Sequence, residues 1–181
     1  MSSLLDFTKK SDYNFEGFVV RFKSGVRLKV KTDEYVRLHR LISKVTPLSV
    51  WEALLNKEDL DDVVKYLPEE IKKDFWIIVG ILNSKLHRLI KEIEMIHKKT
   101  KDMSDKELGL FLKSSPRSFR DGDFPLAINY IYEYRKGDFW NKLEDVSYPF
   151  RRSVFNNFKP KANKLDEYKP SSVMQRFSEN N

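Results

Sequence analysis

The sequence predicts a mainly α protein in which one β-hairpin near the N-terminus precedes an all-helical domain. The hairpin is indicated by strict alternation of apolar and basic residues over residues 26–31, which is the period of a strand. The helical domain is indicated by an apolar residue at every third or fourth position over residues 71–96, which is the period of a helix. Capping signals at Thr46-Pro47 and at Ser104 with Glu107 add two further helix starts.

The two arms of the predicted hairpin differ in chemistry. Residues 16–22 are rich in β-branched and aromatic side chains, whereas the second arm places Arg27, Lys29 and Lys31 together on one face. Residues 23–25, Lys-Ser-Gly, have the composition of a turn between the arms. Three cations on one face indicate an anionic ligand, although a solvated strand with surface lysines would show the same alternation.

The length of the turn decides which face carries the nearest carboxylate. If Ser24-Gly25 alone form the loop, Glu16 lies on the face of Lys29 and Lys31, and Phe18 lies opposite Lys31. A three-residue loop shifts the register by one and sends Glu16 to the other face. We predict the two-residue loop, because Ser-Gly can adopt the positive φ of a tight turn and because a carboxylate beside two lysines suits a phosphate and metal site.

Short motifs in this region resemble a known superfamily. Residues 16–20, Glu-Gly-Phe-Val-Val, resemble motif IV of the covalent nucleotidyltransferases, which include ATP-dependent ligases and capping enzymes, and residues 28–31, Leu-Lys-Val-Lys, resemble their motif V. Residues 32–39 and the helical run after them narrow the resemblance to the bacteriophage-type tRNA-repair RNA ligases. The resemblance covers residues 13–100, and the remainder is only loosely similar to the helical C-terminal domain of that family.

The resemblance implies a role for three residues. Glu16 would correspond to the motif IV glutamate that helps to hold a divalent metal, and Lys29 and Lys31 to the motif V lysines that contact nucleotide phosphates. The implied reaction uses ATP and Mg²⁺ to join an RNA 5′-phosphate to a 3′-hydroxyl through adenylated intermediates. These roles agree with the general expectation that nucleotidyl transfer depends on charge neutralisation and positioning.

The sequence departs from the family at the nucleophile. These ligases attack ATP with the lysine of a Lys-x-Asp-Gly motif, and the chain contains no such motif, since Lys10-Ser11-Asp12 is followed by Tyr13. We therefore expect a truncated or split ligase that is inactive alone, with a separate chain supplying the N-terminal nucleotidyltransferase part. The alternative is a non-catalytic RNA-binding or complementing module. If the motifs are coincidental, the chain is a helical interaction protein.

The composition and the net charge limit the chemical class of the binding partner and the cellular compartment of the protein. A net charge of +7 and a pI near 9.4 favour an anionic partner, most commonly nucleic acid. The resemblance implies that this partner is RNA, with tRNA as one candidate. The basic side of the helix at residues 71–96 could contact RNA or simply face solvent. Absence of cysteine excludes disulfides and thiolate zinc sites. No apolar run has membrane-spanning length, so we expect no membrane partner and a soluble, intracellular and cytoplasmic protein; the resemblance is also compatible with a viral source.

The predicted organisation has three parts. Residues 1–32 would be the C-terminal end of a nucleotidyltransferase domain, residues 33–148 a helical domain, and residues 149–181 a flexible basic tail. Residues 1–12 are expected to be a cut end, and residues 114–122 a loop. The tail is expected to be poorly ordered because Asn, Lys, Pro and Ser dominate it. Predicted helices start at Thr32 or Asp33, at Pro47, near Glu58, after Pro68, at Ser104, at Pro125 and near Phe139.

Overall fold

A computed structural model describes residues 16–114 and 127–179, and over these ranges the chain is mainly α with one antiparallel hairpin at its N-terminal side. The predicted fold class is confirmed. The predicted cut end and most of the predicted loop at 114–122 lie outside the described residues. The elements are β1 (Gly17–Arg21), β2 (Arg27–Lys31), α1 (Asp33–Ile42), a 3-10 turn (Ser43–Val45), α2 (Pro47–Asn56), α3 (Leu60–Val64), α4 (Glu69–Thr100), α5 (Asp105–Ser114), α6 (Ile131–Arg135), α7 (Phe139–Glu144), α8 (Pro149–Asn156) and α9 (Ser172–Glu179).

The long helix α4 anchors the helical part of the molecule. Its inner face is fully buried at Phe75, Ile78, Leu82 and Ile93, which follow the predicted helical period. Helices α2, α6 and α9 all contact it. Burial of each large apolar side chain contributes about 1.5–3 kcal/mol, so this face dominates the stability of the helical part.

The capping signals form as the sequence predicts. The Thr32 hydroxyl accepts a hydrogen bond from the Tyr35 amide at 3.2 Å and begins α1. Thr46 and Ser49 cap α2 reciprocally, with Pro47 in its first turn. The Ser104 hydroxyl accepts from the Glu107 amide, and the Glu107 carboxylate accepts from the Ser104 amide at 2.7 Å. These contacts are local in sequence, which is why the sequence predicts them.

The prediction of a flexible tail is wrong for much of residues 149–174. Helix α8 buries Val154 and Phe155 in the helical core, and Met174 of α9 is also buried. The intervening segment is held to α4, because the buried Asp74 carboxylate accepts hydrogen bonds from the Tyr168 hydroxyl at 2.8 Å and from the Ser171 amide at 3.0 Å. The polar composition hides this packing, since a few well-spaced apolar residues and one distant carboxylate are sufficient to hold the segment.

Arg151 joins three helices at the centre of this packing. Its buried guanidinium donates hydrogen bonds, each 2.6 Å long, to the carbonyls of Leu54, Leu55 and Leu143. Those carbonyls belong to the last turns of α2 and α7, where the positive charge also complements the helix dipoles. Burial lowers the pKa of this guanidinium. Arg151 therefore fixes the ends of α2 and α7 against α8.

The hairpin is connected to the helical part through Thr32. The Thr32 amide donates to the Glu16 carbonyl at 3.0 Å, which extends the strand pairing by one residue, and the Thr32 side chain then caps α1. Thr32 is fully buried. One residue thus ends the hairpin and begins the first helix, and this fixes where the face of β2 lies relative to α1.

Candidate functional site

The register of the hairpin differs from the prediction. Phe18 lies opposite Val30, not opposite Lys31, and Val20 lies opposite Leu28. The prediction of a two-residue loop, and of the pairing that follows from it, is therefore wrong.

The turn contains the three residues Lys23, Ser24 and Gly25. It is closed by hydrogen bonds from the Phe22 amide to the Val26 carbonyl at 2.8 Å and from the Gly25 amide to the Phe22 carbonyl at 2.9 Å. Gly25 has a φ of +86°, so it adopts the left-handed conformation that the last residue of a three-residue hairpin loop requires. The glycine serves the longer loop, which explains why Ser24-Gly25 is not a tight turn by itself.

Glu16 nevertheless meets the two lysines, because Gly17 interrupts the alternation of faces. Gly17 has a φ of +147°, and a Cβ atom added there would lie 2.0 Å from the Val30 carbonyl oxygen. A side chain at this position would point at the backbone of β2 and not at either face of the hairpin. Counting from strand residues through Gly17 therefore does not determine where the Glu16 side chain goes.

The predicted site residues converge. The Lys29 ammonium donates to Glu16 Oε1 at 2.6 Å, and the Lys31 Nζ lies 3.6 Å from the same oxygen. The hydrogen bond from Lys29 lowers the pKa of the Glu16 carboxyl, the charges of both lysines add to this effect, and partial desolvation opposes it. Glu16 is thus a carboxylate at neutral pH, and the three side chains together carry one net positive charge.

The basic face of the hairpin extends beyond the predicted residues. In the observed register Arg21 lies opposite Arg27, and both share a face with Lys29 and Lys31. The two-residue loop places Arg21 on the apolar face, so the sequence interpretation missed it. The sequence signal that could have found it is the turn composition of all three residues between the arms, which favours the longer loop.

Helix α1 holds one of the lysines in place. The Lys31 ammonium lies over the ring of Tyr35, 5.1 Å from its centroid, and Tyr35 is buried in the first turn of α1. Such cation–π contacts stabilise the position of an ammonium group by about 0.5–1 kcal/mol at exposed sites. The Thr32 cap and the Tyr35 ring together orient Lys31, which connects the helical part to the candidate site.

The cluster fits a phosphate better than it fits a magnesium ion. Among the described residues, no group of three or more His, Cys, Asp or Glu side chains could hold a metal. Magnesium is commonly held by one or two carboxylates together with substrate phosphates and water. Glu16 supplies one carboxylate, and its Oε1 already contacts both lysines. A magnesium site would therefore need ligands besides this carboxylate.

Comparisons with protein-family models, with curated proteins and with solved structures each gave no match. Within residues 16–114 and 127–179, no helix is both long enough and apolar enough to cross a membrane. The resemblance to RNA ligases, the roles of ATP and Mg²⁺ and the RNA partner therefore stay predictions from the sequence.

Proposed function

We propose that the chain acts as the C-terminal part of an ATP-dependent RNA ligase that joins an RNA 5′-phosphate to a 3′-hydroxyl. The observation that supports this proposal best is the convergence of Glu16, Lys29 and Lys31 on the hairpin. These are the residues to which the motif resemblance assigns the metal and the phosphates. They meet although the observed strand register differs from the predicted one.

In this function the two lysines neutralise the phosphate oxygens of the nucleotide. Glu16 holds Lys29 in position and offers one carboxylate to a magnesium ion whose remaining ligands include phosphate oxygens. Arg21 and Arg27 extend the positive face along the hairpin, which raises the local concentration of phosphate-bearing ligands. The described site is incomplete in this proposal, and a separate chain carrying the N-terminal nucleotidyltransferase part would complete it.

The absence of a Lys-x-Asp-Gly motif from the sequence makes a direct test possible. The chain incubated with radiolabelled ATP and Mg²⁺ is expected to form no covalent adenylate, because it lacks the motif that carries the nucleophilic lysine. A labelled protein band that survives denaturing electrophoresis would contradict this expectation and would show that another lysine attacks ATP.

A second candidate function is non-catalytic RNA binding, which the four-cation face favours because it needs no metal. Magnesium separates the two functions. A ligase part should bind ATP more tightly when Mg²⁺ is added, and Glu16→Gln should abolish that gain. An RNA-binding module should lose affinity for RNA as Mg²⁺ competes for the phosphates, and Glu16→Gln should not weaken its binding.

The contribution of the hairpin to RNA binding can be measured through its salt dependence. Each phosphate contact contributes about 0.7 to the slope of log affinity against log salt for a single strand, so Lys29→Ala with Lys31→Ala should reduce the slope by about 1.4. The matched control, Lys106→Ala with Lys113→Ala, removes the same charge from exposed positions of α5. Circular dichroism checks that both variants are folded. Equal slopes for the two variants would remove the hairpin from the RNA-binding surface.

A further inference from the structure

An exposed apolar surface on the first half of α4 is unrelated to the hairpin site. Trp76 and Ile77 are 43% and 41% exposed, and Gly80 and Ser84, one and two turns later, are exposed on the same side of the helix. A Cβ atom added at Gly80 would meet nothing within 4 Å. The surface therefore consists of a raised apolar ridge, Trp76 and Ile77, followed by a flat shelf, Gly80 and Ser84.

The ridge and the shelf are complementary to each other. A groove of about 420 Å³ runs beside the shelf and is lined by Ile77, Gly80, Ile81, Ser84, Lys85, Arg88 and Glu167. If two copies of α4 cross in antiparallel orientation between Gly80 and Ile81, the helical repeat places Ile77 of each copy opposite Ser84 of the other. The ridge of each copy then covers the shelf of the other, as a two-fold symmetric interface requires.

The charges along α4 select the antiparallel orientation. The helix begins with Glu69 and Glu70, and beyond the shelf its exposed side carries Arg88 and Lys91. In the crossing described above, Glu70 of one copy lies opposite Lys91 of the other, about 15 Å along the helix from the crossing point. Lys73 then lies near Arg88 of the other copy, and both long side chains can turn outward to solvent. A parallel pair would instead align like charges at both ends.

We propose that a second copy of this chain docks on this surface and forms a symmetric antiparallel dimer through α4. The ridge supplies the apolar centre of the interface, and the two Glu70 to Lys91 pairs flank it. This proposal does not depend on the ligase function.

The shelf provides the first test, by sedimentation equilibrium of the nuclease-treated full chain. The wild type should form dimers in a concentration-dependent manner. Gly80→Leu adds a side chain on the shelf, where a Cβ atom would meet nothing within 4 Å, so it should stay folded and weaken dimerisation by about tenfold or more. Asn156→Leu, which adds the same side chain at an exposed position of α8, should leave dimerisation unchanged. A wild type that is monomeric at all concentrations, or equal effects of the two variants, would overturn the proposal.

Charge reversal provides the second test. Recovery of dimerisation in a double variant distinguishes a lost charge pair from a loss of folding. Glu70→Lys and Lys91→Glu should each weaken the dimer, because each creates a like-charged pair across the interface. The double variant restores opposite charges and should recover most of the affinity. No recovery in the double variant would overturn the antiparallel arrangement. Association that disappears after nuclease treatment would assign the surface to nucleic acid and would likewise overturn the proposal.

Discussion

The hairpin and the helical part of the molecule differ in what holds them together. The helices bury complete side chains such as Phe75 and Ile131, whereas Val19 and Leu28 of the hairpin are 60% and 52% exposed. Among the described residues, the sheet has two strands, and a two-stranded sheet is marginally stable alone in water. The fold is therefore stabilised in the helices, while the candidate chemistry lies on the hairpin, whose geometry depends on its turn, on Gly17 and on Thr32.

The largest loss of stability is expected in the helical part, from Arg151→Met. This substitution removes the buried guanidinium and leaves carbonyls of α2 and α7 without their donor. We expect the free energy of unfolding to fall by about 3 kcal/mol or more, since hydrogen bonds to charged groups contribute about 1.5–3 kcal/mol each. Arg152→Met on the exposed side of the same helix should change it by less than about 0.5 kcal/mol. Urea unfolding followed by circular dichroism measures both. A similar loss in the two variants would show that Arg151 does not join the helices.

The next effect should be confined to the hairpin. Gly17→Ala forces a Cβ atom against the Val30 carbonyl at a φ of +147°, whereas Gly25→Ala introduces a φ penalty in open space. We expect Gly17→Ala to destroy the hydrogen-exchange protection of the Thr32 amide, which donates to the Glu16 carbonyl, and Gly25→Ala to reduce that protection by about 1–2 kcal/mol of opening free energy. The helical melting temperature should change little in either variant. A large fall in that temperature would show that the helices depend on the hairpin.

The contrast between the two regions also explains what the sequence could predict. The starts of α2 and α5 are local signals at Thr46 and Ser104, so they were predicted correctly. Arg151 was missed because its partners include Leu54 and Leu55, which lie far away in sequence and are reached through backbone carbonyls that no side-chain pattern shows. Tertiary contacts of this kind also explain the wrong prediction for the tail.

The hairpin shows a different limit. Alternation identifies the strands and the basic face, but it does not state how many residues the turn uses, so the register was wrong by one residue. The convergence of Glu16 with Lys29 and Lys31 was predicted, yet for a reason that does not hold. It results from the backbone of Gly17, whose φ is not encoded in a pattern of polar and apolar residues.

A smaller effect is expected where the C-terminal segment joins α4. Burial and the hydrogen bond to Asp74 raise the pKa of the Tyr168 hydroxyl. A raised pKa in the folded state means that this contribution is fully present below the ordinary tyrosine pKa of 10.0 and is lost as the pH rises above it. Tyr168→Phe should cost about 1 kcal/mol at pH 7 and should remove this alkaline dependence. Limited proteolysis between pH 8 and pH 11 measures the release of α9. Identical pH profiles for both proteins would contradict the role of this hydrogen bond.

The smallest effect should come from the ion pair at the candidate site itself. Glu16 and its lysines are partly exposed, so Glu16→Gln should lower hairpin stability by less than about 0.5 kcal/mol at pH 7. The pKa of Glu16 is lowered in the folded protein, so the contribution is present above 4.5, the ordinary value, and is lost as the pH falls through the lowered value. Carbon-detected NMR titration of the Glu16 carboxyl reports this directly. Lys29→Gln should raise the titration midpoint more than Lys31→Gln does, because the Lys29 hydrogen bond is the main cause of the shift and Lys31 is farther away. A titration midpoint at or above 4.5 in the wild type, or equal responses to the two substitutions, would show that the carboxylate does not pair with Lys29 in solution. The strongest structural argument for a phosphate site on the hairpin would then be lost.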